Sequence, residues 1–365
     1  MKKIKIGVTC HPDTNKIFLN GNYQNALSLL GMLEKHKDFE VFPVAPAKEI
    51  EKIKGASKNK FLSFGDTIAK KIDILLCPIW SPTGELQQKL IKGGVKVVSI
   101  TYGNIFATIS NEILNDGVQV NKYFKDYDEK TISWISPHYS DQLEMKQLIV
   151  GSELETEICP YIWNPVFLQS QIKNVKTFFK DHKYKKNVAI YEPNLNYTKT
   201  LVCPTLSISH YADTYSVLKD QKFYFYGVRS KSMEEKVSNF FESVKGIGPE
   251  NIILKKRSPI REILQNSAIT LSHQKDNSLN YTTLECLYLG LPVVHNSDHI
   301  EAGYKYEGLN VIEASKKLKE AMNHMDNLEE YNSAAEEEIY KYSPNNPKNI
   351  QDYIDLIMRA MDTNS

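Results

Sequence analysis

Four groups of residues in this chain have the types and spacing to do chemistry. The first centres on Glu285, within Asn277–His299, NSLNYTTLECLYLGLPVVHNSDH. A polar loop, Asn277–Tyr281, leads into a short amphipathic helix, Thr282–Leu289. Gly290-Leu291-Pro292 then turns the chain into an apolar strand, Val293-Val294, which closes on His295-Asn296-Ser297. Thr282 or Thr283 is expected to cap the helix, because a hydroxyl accepts from the free backbone N–H groups there. Gly290 suits a left-handed helix end and Pro292 blocks continuation. Amides and dipole at such a helix start favour an anion. Glu285, read in the first turn, is a candidate ligand carboxylate. The plain structural alternative is a surface carboxylate stabilised by the macrodipole.

The second group is the exit of the run Asn187–Tyr191 (NVAIY). Glu192–Thr200 carries Asn194, Thr198, Lys199 and Thr200 ahead of a helix, roughly Leu201–Tyr211. Lys199 could neutralise a phosphate, and the threonines could cap and donate. The dipole disfavours a cation at a helix start, which weighs against a merely solvated lysine. The third group is Lys255-Lys256-Arg257-Ser258, where Arg257 is either an anion contact or part of a solvated basic turn. The fourth lies at strand ends in the first half: His11 and Asp13, Gly21 and Asn22, Trp80–Thr83, Tyr102–Asn104 and His138. Asp and His are residue types that move protons. Asp13 after Pro12 is also an ordinary turn residue, and His295 at a strand end reads as a hydrogen-bonded structural histidine.

The elements that must position these residues alternate regularly. Strands are expected at Ile4–Thr9, Glu40–Val44, Ile72–Ile79, Val95–Ile100 and Thr131–Ile135. Between them come helices after Asn22 to about Lys37, at Glu85–Gly93 and, following the last strand, at Ser140–Leu148, with a lysine-rich solvated stretch over Ala47–Lys60. The first loop lacks G-x-G-x-x-G, so no dinucleotide is predicted. Pro160–Pro165 (PYIWNP) reads as a rigid boundary, and Gln171–Lys186 opens the second half. That half repeats the alternation. Its strands are Asn187–Tyr191, Phe223–Tyr226, Asn251–Leu254, Ala268–Leu271, Val293-Val294 and Val311–Ile312. Its helices are Leu201–Tyr211, Ser232–Ser243, Pro259–Asn266, Ala314–Met325 and Leu328–Lys341. A Pro-Asn-Asn-Pro break precedes a last helix, Asn349–Met361. Such alternation builds parallel sheets, which bind ligands at the carboxyl ends of their strands.

The order of polar loop, Glu-bearing helix and Gly-x-Pro-Val-Val resembles the donor half of GT-B glycosyltransferases. The passages ISWISPHYS, PYIWNPVF, EPNLNYTKT and LGLPVVHNS resemble a group of bacterial and phage GT-B-like proteins. The resemblance implies an α/β fold of two Rossmann-like domains facing a central cleft. It places an acceptor-side domain at 1–165 and a nucleotide-sugar donor domain at 166–343, with a helix at 344–365 crossing back. Glu285 would accept hydrogen bonds from the ribose diol, and the helix start at Tyr281, Thr282 and Thr283 would face the diphosphate. Asn194, Lys199, Thr200, Arg257 and Gly21 would complete the donor site. Asp13, then His138, would supply the base. Many retaining members of the resembled family carry a second acid upstream in E-x7-E, and here Asn277 stands at that position. No cofactor and no essential bound metal are implied. The partners are a nucleotide-sugar donor and a carbohydrate or other hydroxyl acceptor. A phage-type DNA glycosyltransferase acting on a hydroxymethylated base is one alternative, and a non-catalytic sugar- or nucleotide-binding protein is another.

The totals agree with two domains: 365 residues, 41% hydrophobic and 24% charged. A net charge of +1 argues against a strongly basic nucleic-acid binder. Five widely spaced cysteines without a C-x-x-C pair read as reduced core thiols, and the expectation is a cytoplasmic protein. No apolar stretch is long enough to span a bilayer, and the basic N-terminus runs directly into a first strand. The oligomeric state is not legible.

Overall fold

The structure is a computed structural model. It describes the whole chain except residues 1–2, 14–20, 53–59, 115–126, 128, 173–185, 195, 216–219, 229, 257, 259, 261–264, 324–327 and 364–365. The chain divides into two compact units, Met1–Asn164 with Tyr342–Ser365, and Pro165–Lys341.

The first unit is built on six parallel strands: β1 (Ile4–Thr9), β2 (Phe39–Val44), β3 (Ile74–Cys77), β4 (Lys96–Thr101), β5 (Ile132–Ile135) and β6 (Glu157–Ile158). Their order is β2-β1-β3-β4-β5-β6. The chain leaves β1 towards β2 and returns on its other side at β3, so the strand order reverses between β1 and β3. Strands buried on both faces need near-continuous apolar sequence, and Leu75, Leu76, Val97, Val98, Trp134 and Ile135 are all within 1% of full burial. The final helix, Pro347–Asp362, belongs to this unit. Its Tyr353 hydroxyl lies 3.1 Å from that of Tyr102 and donates to the Pro160 carbonyl at 2.8 Å. Arg359 pairs with Glu157 at 2.7 Å.

The second unit repeats the plan with β7 (Val188–Ile190), β8 (Phe223–Tyr226), β9 (Ile252–Lys255), β10 (Ile269–Leu271), β11 (Val293–His295) and β12 (Tyr304–Lys305). All pairs are parallel, in the order β12-β11-β10-β7-β8-β9. Here the order reverses between β7 and β10. Val188, Ile190, Phe223, Phe225, Leu271 and Val294 form the core with helix residues Ile208 and Leu318.

Several expectations are corrected. Val311–Ile312 is not a strand but the start of helix Val311–Ala321, because Asn310 caps it by accepting from the Glu313 amide at 3.1 Å. The late strand is instead Tyr304–Lys305, pairing with β11. The span Ser140–Leu148 is two elements, a 3-10 helix at Pro137–Gln142 and an α-helix at Leu143–Val150. Of the expected helix Pro259–Asn266, residues 259 and 261–264 lie outside the described residues, as do residues 173–185 of the span 171–186. All five cysteines are free thiols, four of them buried. Among the described residues no helix is long and apolar enough to cross a membrane.

Candidate functional site

The reversal of strand order in the second sheet puts three exit loops side by side, those after β7, β8 and β10. A ligand reaches the end of a parallel sheet most readily at such a point, because the adjoining crossovers run to opposite faces and leave a crevice. A small cavity opens there. Tyr191 and Pro193 after β7, Lys199 beyond them, Tyr226 and Gly227 at the end of β8, Gln274 after β10, and Asn280 and Thr282 line it.

Gly227 is required by this geometry. Its φ is +112°, and a Cβ there would collide with the Glu192 carbonyl and press on Pro193. The loop after β8 can therefore lie directly on the loop after β7 only with glycine at this position.

A buried carboxylate ties the loops together. Glu192 is 1% exposed. Its Oε1 accepts from Ser272 Oγ at 2.8 Å and from the His273 amide at 3.0 Å, and its Oε2 accepts from Gln274 Nε2 at 3.2 Å. Burial pushes this carboxyl up to about 7, opposed by those hydrogen bonds and the positive charge of Lys199. Gln274 is held on its other sides as well. Its amide donates to Asn296 Oδ1 at 2.9 Å, its carbonyl accepts from Asn296 Nδ2 at 3.1 Å, and Asn277 Nδ2 donates to its side-chain oxygen. Asn277 thus serves as a hydrogen-bond donor to Gln274. Behind it, His273 Nδ1 lies 2.8 Å from the Tyr306 hydroxyl, and burial lowers its imidazole to about 4, so it is neutral at pH 7.

The helix beyond the cavity is Tyr281–Tyr288, and Asn280, not Thr282 or Thr283, is its cap. Asn280 Oδ1 accepts from the Thr282 amide at 3.1 Å. Asparagine caps as well as a hydroxyl does, and so the helix begins earlier. Glu285 consequently sits in the second turn, beyond the reach of the dipole argument. It lies one turn beyond Thr282 on the same helix face. Its half-buried carboxyl makes no hydrogen bond or ion pair among the described residues, and desolvation pushes it up to about 8. Gly290, at φ +66°, ends the helix as expected. Tyr281 and Thr283 are buried.

Lys199, Asn280 and Thr282, about 80 residues apart in the chain, therefore meet at one cavity. Thr200 lies beside Lys199 without lining it. Asn194, with φ +49°, spends its side chain on the backbone: Oδ1 accepts from the Leu201 amide at 2.8 Å and Nδ2 donates to the Glu192 carbonyl at 3.1 Å. Arg257 lies outside the described residues. Sequence reading missed Glu192, Gly227 and Gln274 as members of the site. The alternation placed Glu192 and Gly227 directly after expected strands, and Gln274 in the loop after a third, but not their meeting.

In the first unit, His11 packs between Tyr23 and Trp80, with ring centroids 4.8 and 5.4 Å away. Its Nδ1 accepts from the Asp13 amide at 3.0 Å, which in the neutral ring leaves the proton on Nε2. Asp13 is half-buried. His138 lies 3.1 Å from Ser136 Oγ through Nδ1, with its ring centroid 3.9 Å from that of Tyr139. Asp13 follows β1 and His138 follows β5, three strand spacings or about 14 Å across the sheet. The fold does not bring these two candidate bases together. Gly21 is the first residue of helix Gly21–Leu33, and the next residue, Asn22, lines a larger cavity of about 490 Å³ above β3 and β4.

Comparison with solved structures agrees with this double plan. An alpha-glucosyltransferase in complex with UDP and a 13-mer DNA containing a central A:G mismatch matches with a TM-score of 0.58 at 13% identity, over 98% of this chain and all of the other. A glycosyltransferase from Rickettsia africae matches with a TM-score of 0.59 at 12% identity, over the whole of both chains. A structure described as trehalose-6-phosphate from E. coli bound with UDP-2-fluoro glucose matches with a TM-score of 0.61 at 11% identity, over 99% of each. The fold is that of GT-B glycosyltransferases. At such identities the likeness reaches no further than the fold, and no curated protein matches the sequence significantly. One family does match, across residues 4–357 and so across both sheets and most of the final helix. The chain belongs to the family described as Protein of unknown function (DUF2827).

Proposed function

We propose that this protein is a glycosyltransferase that moves a sugar from a nucleotide-sugar donor to a hydroxyl acceptor without an essential metal. The observation that carries the reading is the cavity between β7 and β10, where Lys199, Thr282 and the amides of a capped helix converge from two distant segments. Departure of a nucleoside diphosphate leaves negative charge that must be stabilised, and a preorganised ammonium beside helix amides does this. Glu285 is suited to the ribose diol. Its carboxyl has no hydrogen-bond partner among the described residues, and two hydroxyl donors would repay its desolvation. In this reading Pro165–Lys341 is the donor side and the first unit the acceptor side, with Asp13 as base and His138 as its competitor. Tyr281, Thr283 and Thr200 shape the donor side, and Asn194 holds the loop that presents Lys199.

The solved neighbours that carry UDP or a UDP sugar support a uridine nucleotide as the first donor to try. A thermal-shift series with nucleoside diphosphates and their sugars tests the reading, since a ligand of the native state raises the melting temperature by mass action. A selective rise with one diphosphate is expected. The absence of any rise would overturn the donor assignment. The neighbour solved with DNA favours a second reading, transfer to a DNA hydroxyl. That reading predicts DNA binding that weakens steeply as salt rises. A non-catalytic binder predicts a thermal shift with no turnover and indifference to Asp13→Ala.

A further inference from the structure

Two helices of the second unit are apolar on both sides. Helix Val202–Tyr215 follows β7 and helix Val311–Ala321 follows β12, so both start at the carboxyl end of the parallel sheet and run the same way. Their inner faces supply Ile208, Tyr211, Ala314 and Leu318 to the core. Two contacts fix their register: His210 Nδ1 lies 2.7 Å from Ser315 Oγ, and the Lys319 ammonium lies over the Tyr215 ring, 5.7 Å from its centroid. One turn before the His210–Ser315 contact stand Leu206 and Ile312, and a further turn back stand Val202 and Leu309. These four are 39%, 49%, 44% and 63% exposed. A surface helix needs one apolar stripe to hold it to its domain, and these two helices carry a second, facing out.

Further along, the outward stripes turn charged, with opposite signs. Asp213 stands two turns beyond Leu206, and Lys316 one turn beyond Ile312. Both are exposed, and neither makes an ion pair or hydrogen bond among the described residues. Counted from the His210–Ser315 contact, Asp213 is three residues on and Lys316 one, so they stand within about 3 Å of the same height along the helices.

A contiguous apolar patch with a polar rim marks an interaction surface, and the charges select its occupant. A two-fold axis parallel to the helices would lay each helix of one copy on the other helix of a second copy. Leu206 would then face Ile312 of the second copy, and Asp213 would face Lys316 of the second copy, twice over by symmetry. An anionic lipid surface would instead favour cations alone around the patch, and Asp213 stands there. We infer that this face joins two copies of the chain in a two-fold dimer. The helices are about 15–20 Å long and lie about 10 Å apart, which makes a face of a few hundred Å². That is the small end of specific interfaces, so the association is weak and concentration-dependent. Pairing through this face is independent of the proposed glycosyl transfer.

The test is sedimentation equilibrium of the full chain from low to high micromolar concentration, where a monomer–dimer equilibrium is expected. Ile312→Lys would bury an ammonium against Leu206 of the second copy and should weaken pairing on the order of tenfold or more. Lys316→Glu, at an exposed position that keeps the test valid should Ile312→Lys fail to fold, would face Asp213 with a like charge and should weaken pairing several-fold. Adding Asp213→Lys to it reverses both charges and should restore the parent's association. A parent protein that stays monomeric throughout would overturn the inference. So would a dimer indifferent to Ile312→Lys and Lys316→Glu, or a double variant no better than Lys316→Glu alone. Vesicles of neutral and of anionic lipid serve as the rival probe: a monomer that binds them, and loses that binding in Ile312→Lys, would overturn the inference and give the face to a membrane.

Discussion

The two sheets share a plan and differ in what fills their carboxyl ends. At the β7/β10 reversal the space is small and surrounded by a cross-linked polar network. Glu192, Gln274, Asn277 and Asn296 fix one another through hydrogen bonds at nearly every position. Above β3 and β4 the space is far larger, and among the described residues hydroxyls, amides and one lysine, Lys146, share its lining with a proline and several isoleucines. A preorganised network suits a group whose geometry is always the same, such as a diphosphate. A roomier hydroxyl lining suits recognition of a specific sugar. The difference teaches that one topology can supply a rigid anion cradle and an adaptable pocket, depending on whether a buried carboxylate ties the exit loops.

The largest expected effect would come from removing the cation of the cradle. Lys199→Ala should lower kcat by about 10²–10³-fold, the scale found when one electrostatic contact to developing charge is lost. Its melting temperature should change little. If turnover persists, or the protein merely melts earlier, the second unit's cavity is not the site of leaving-group stabilisation. The matched change in the first unit, Asp13→Asn, should lower turnover by about 10²-fold without altering nucleotide binding. If His138→Gln does so instead, the base lies at β5.

Next comes the carboxylate that distinguishes the two ends. Glu192→Ala leaves Ser272 Oγ and the His273 amide unsatisfied in a buried place, at a cost of about 2–4 kcal/mol by denaturant unfolding. Glu192→Gln is the finer probe. Its amide would face the Gln274 amide donor-to-donor, so nucleotide binding should weaken more than folding does. A Glu192→Gln protein with unchanged affinity would mean the network is only structural.

Much of this comparison was legible in the sequence, and the reasons for the remainder are local. The alternation of apolar runs located ten of the twelve strands, because strands buried on both faces must be apolar throughout. The two-residue strand Glu157–Ile158 is too short to leave a pattern, and the last strand was misplaced because Val311-Ile312 looks like a strand until the Asn310 cap is taken into account. Lys199 and Thr282 stood out because charge and hydroxyl at loop–helix junctions are visible in one dimension. Glu192, Gly227 and Gln274 were not singled out, since their roles arise only when three loops are brought together. Lys146 did leave a trace, as a charge on the otherwise apolar stripe shared with Val150.

Glu285→Ala should weaken nucleotide-sugar binding by about 1–3 kcal/mol, or roughly fivefold to 150-fold. An unaltered affinity in a folded variant would detach Glu285 from the donor and leave the cradle to Lys199 and the helix start.

The smallest effect is the most diagnostic, because it separates the units by pH. Among the described residues, the carboxyl and imidazole groups displaced furthest from their ordinary values lie in the second unit: Glu192 near 7, Glu285 near 8, His273 and His295 near 4. For the two carboxyls the folded value lies above the ordinary 4.5, so the native state holds more protons than the unfolded one between about 4.5 and 8. Their contribution to stability is full below 4.5 and is lost as pH rises through 7 and 8. For the two histidines the folded value lies below the ordinary 6.5, so the unfolded state holds more protons, and stability falls as pH drops from 6.5 towards 4. Between about 4.5 and 6.5 the two pairs oppose each other and nearly cancel, so the second unit should lose stability chiefly as pH rises from 6.5 through 8, with a smaller loss below 4.5. The same logic applies to the ligand. A diol stabilises the ionised Glu285, so donor binding at pH 7 should release a proton, and affinity should rise with pH up to about 8. Calorimetry in buffers of different ionisation enthalpy reads that proton directly. Release in the parent protein and none in Glu285→Gln would tie the proton to this carboxyl, and equal release in both would move it to Glu192.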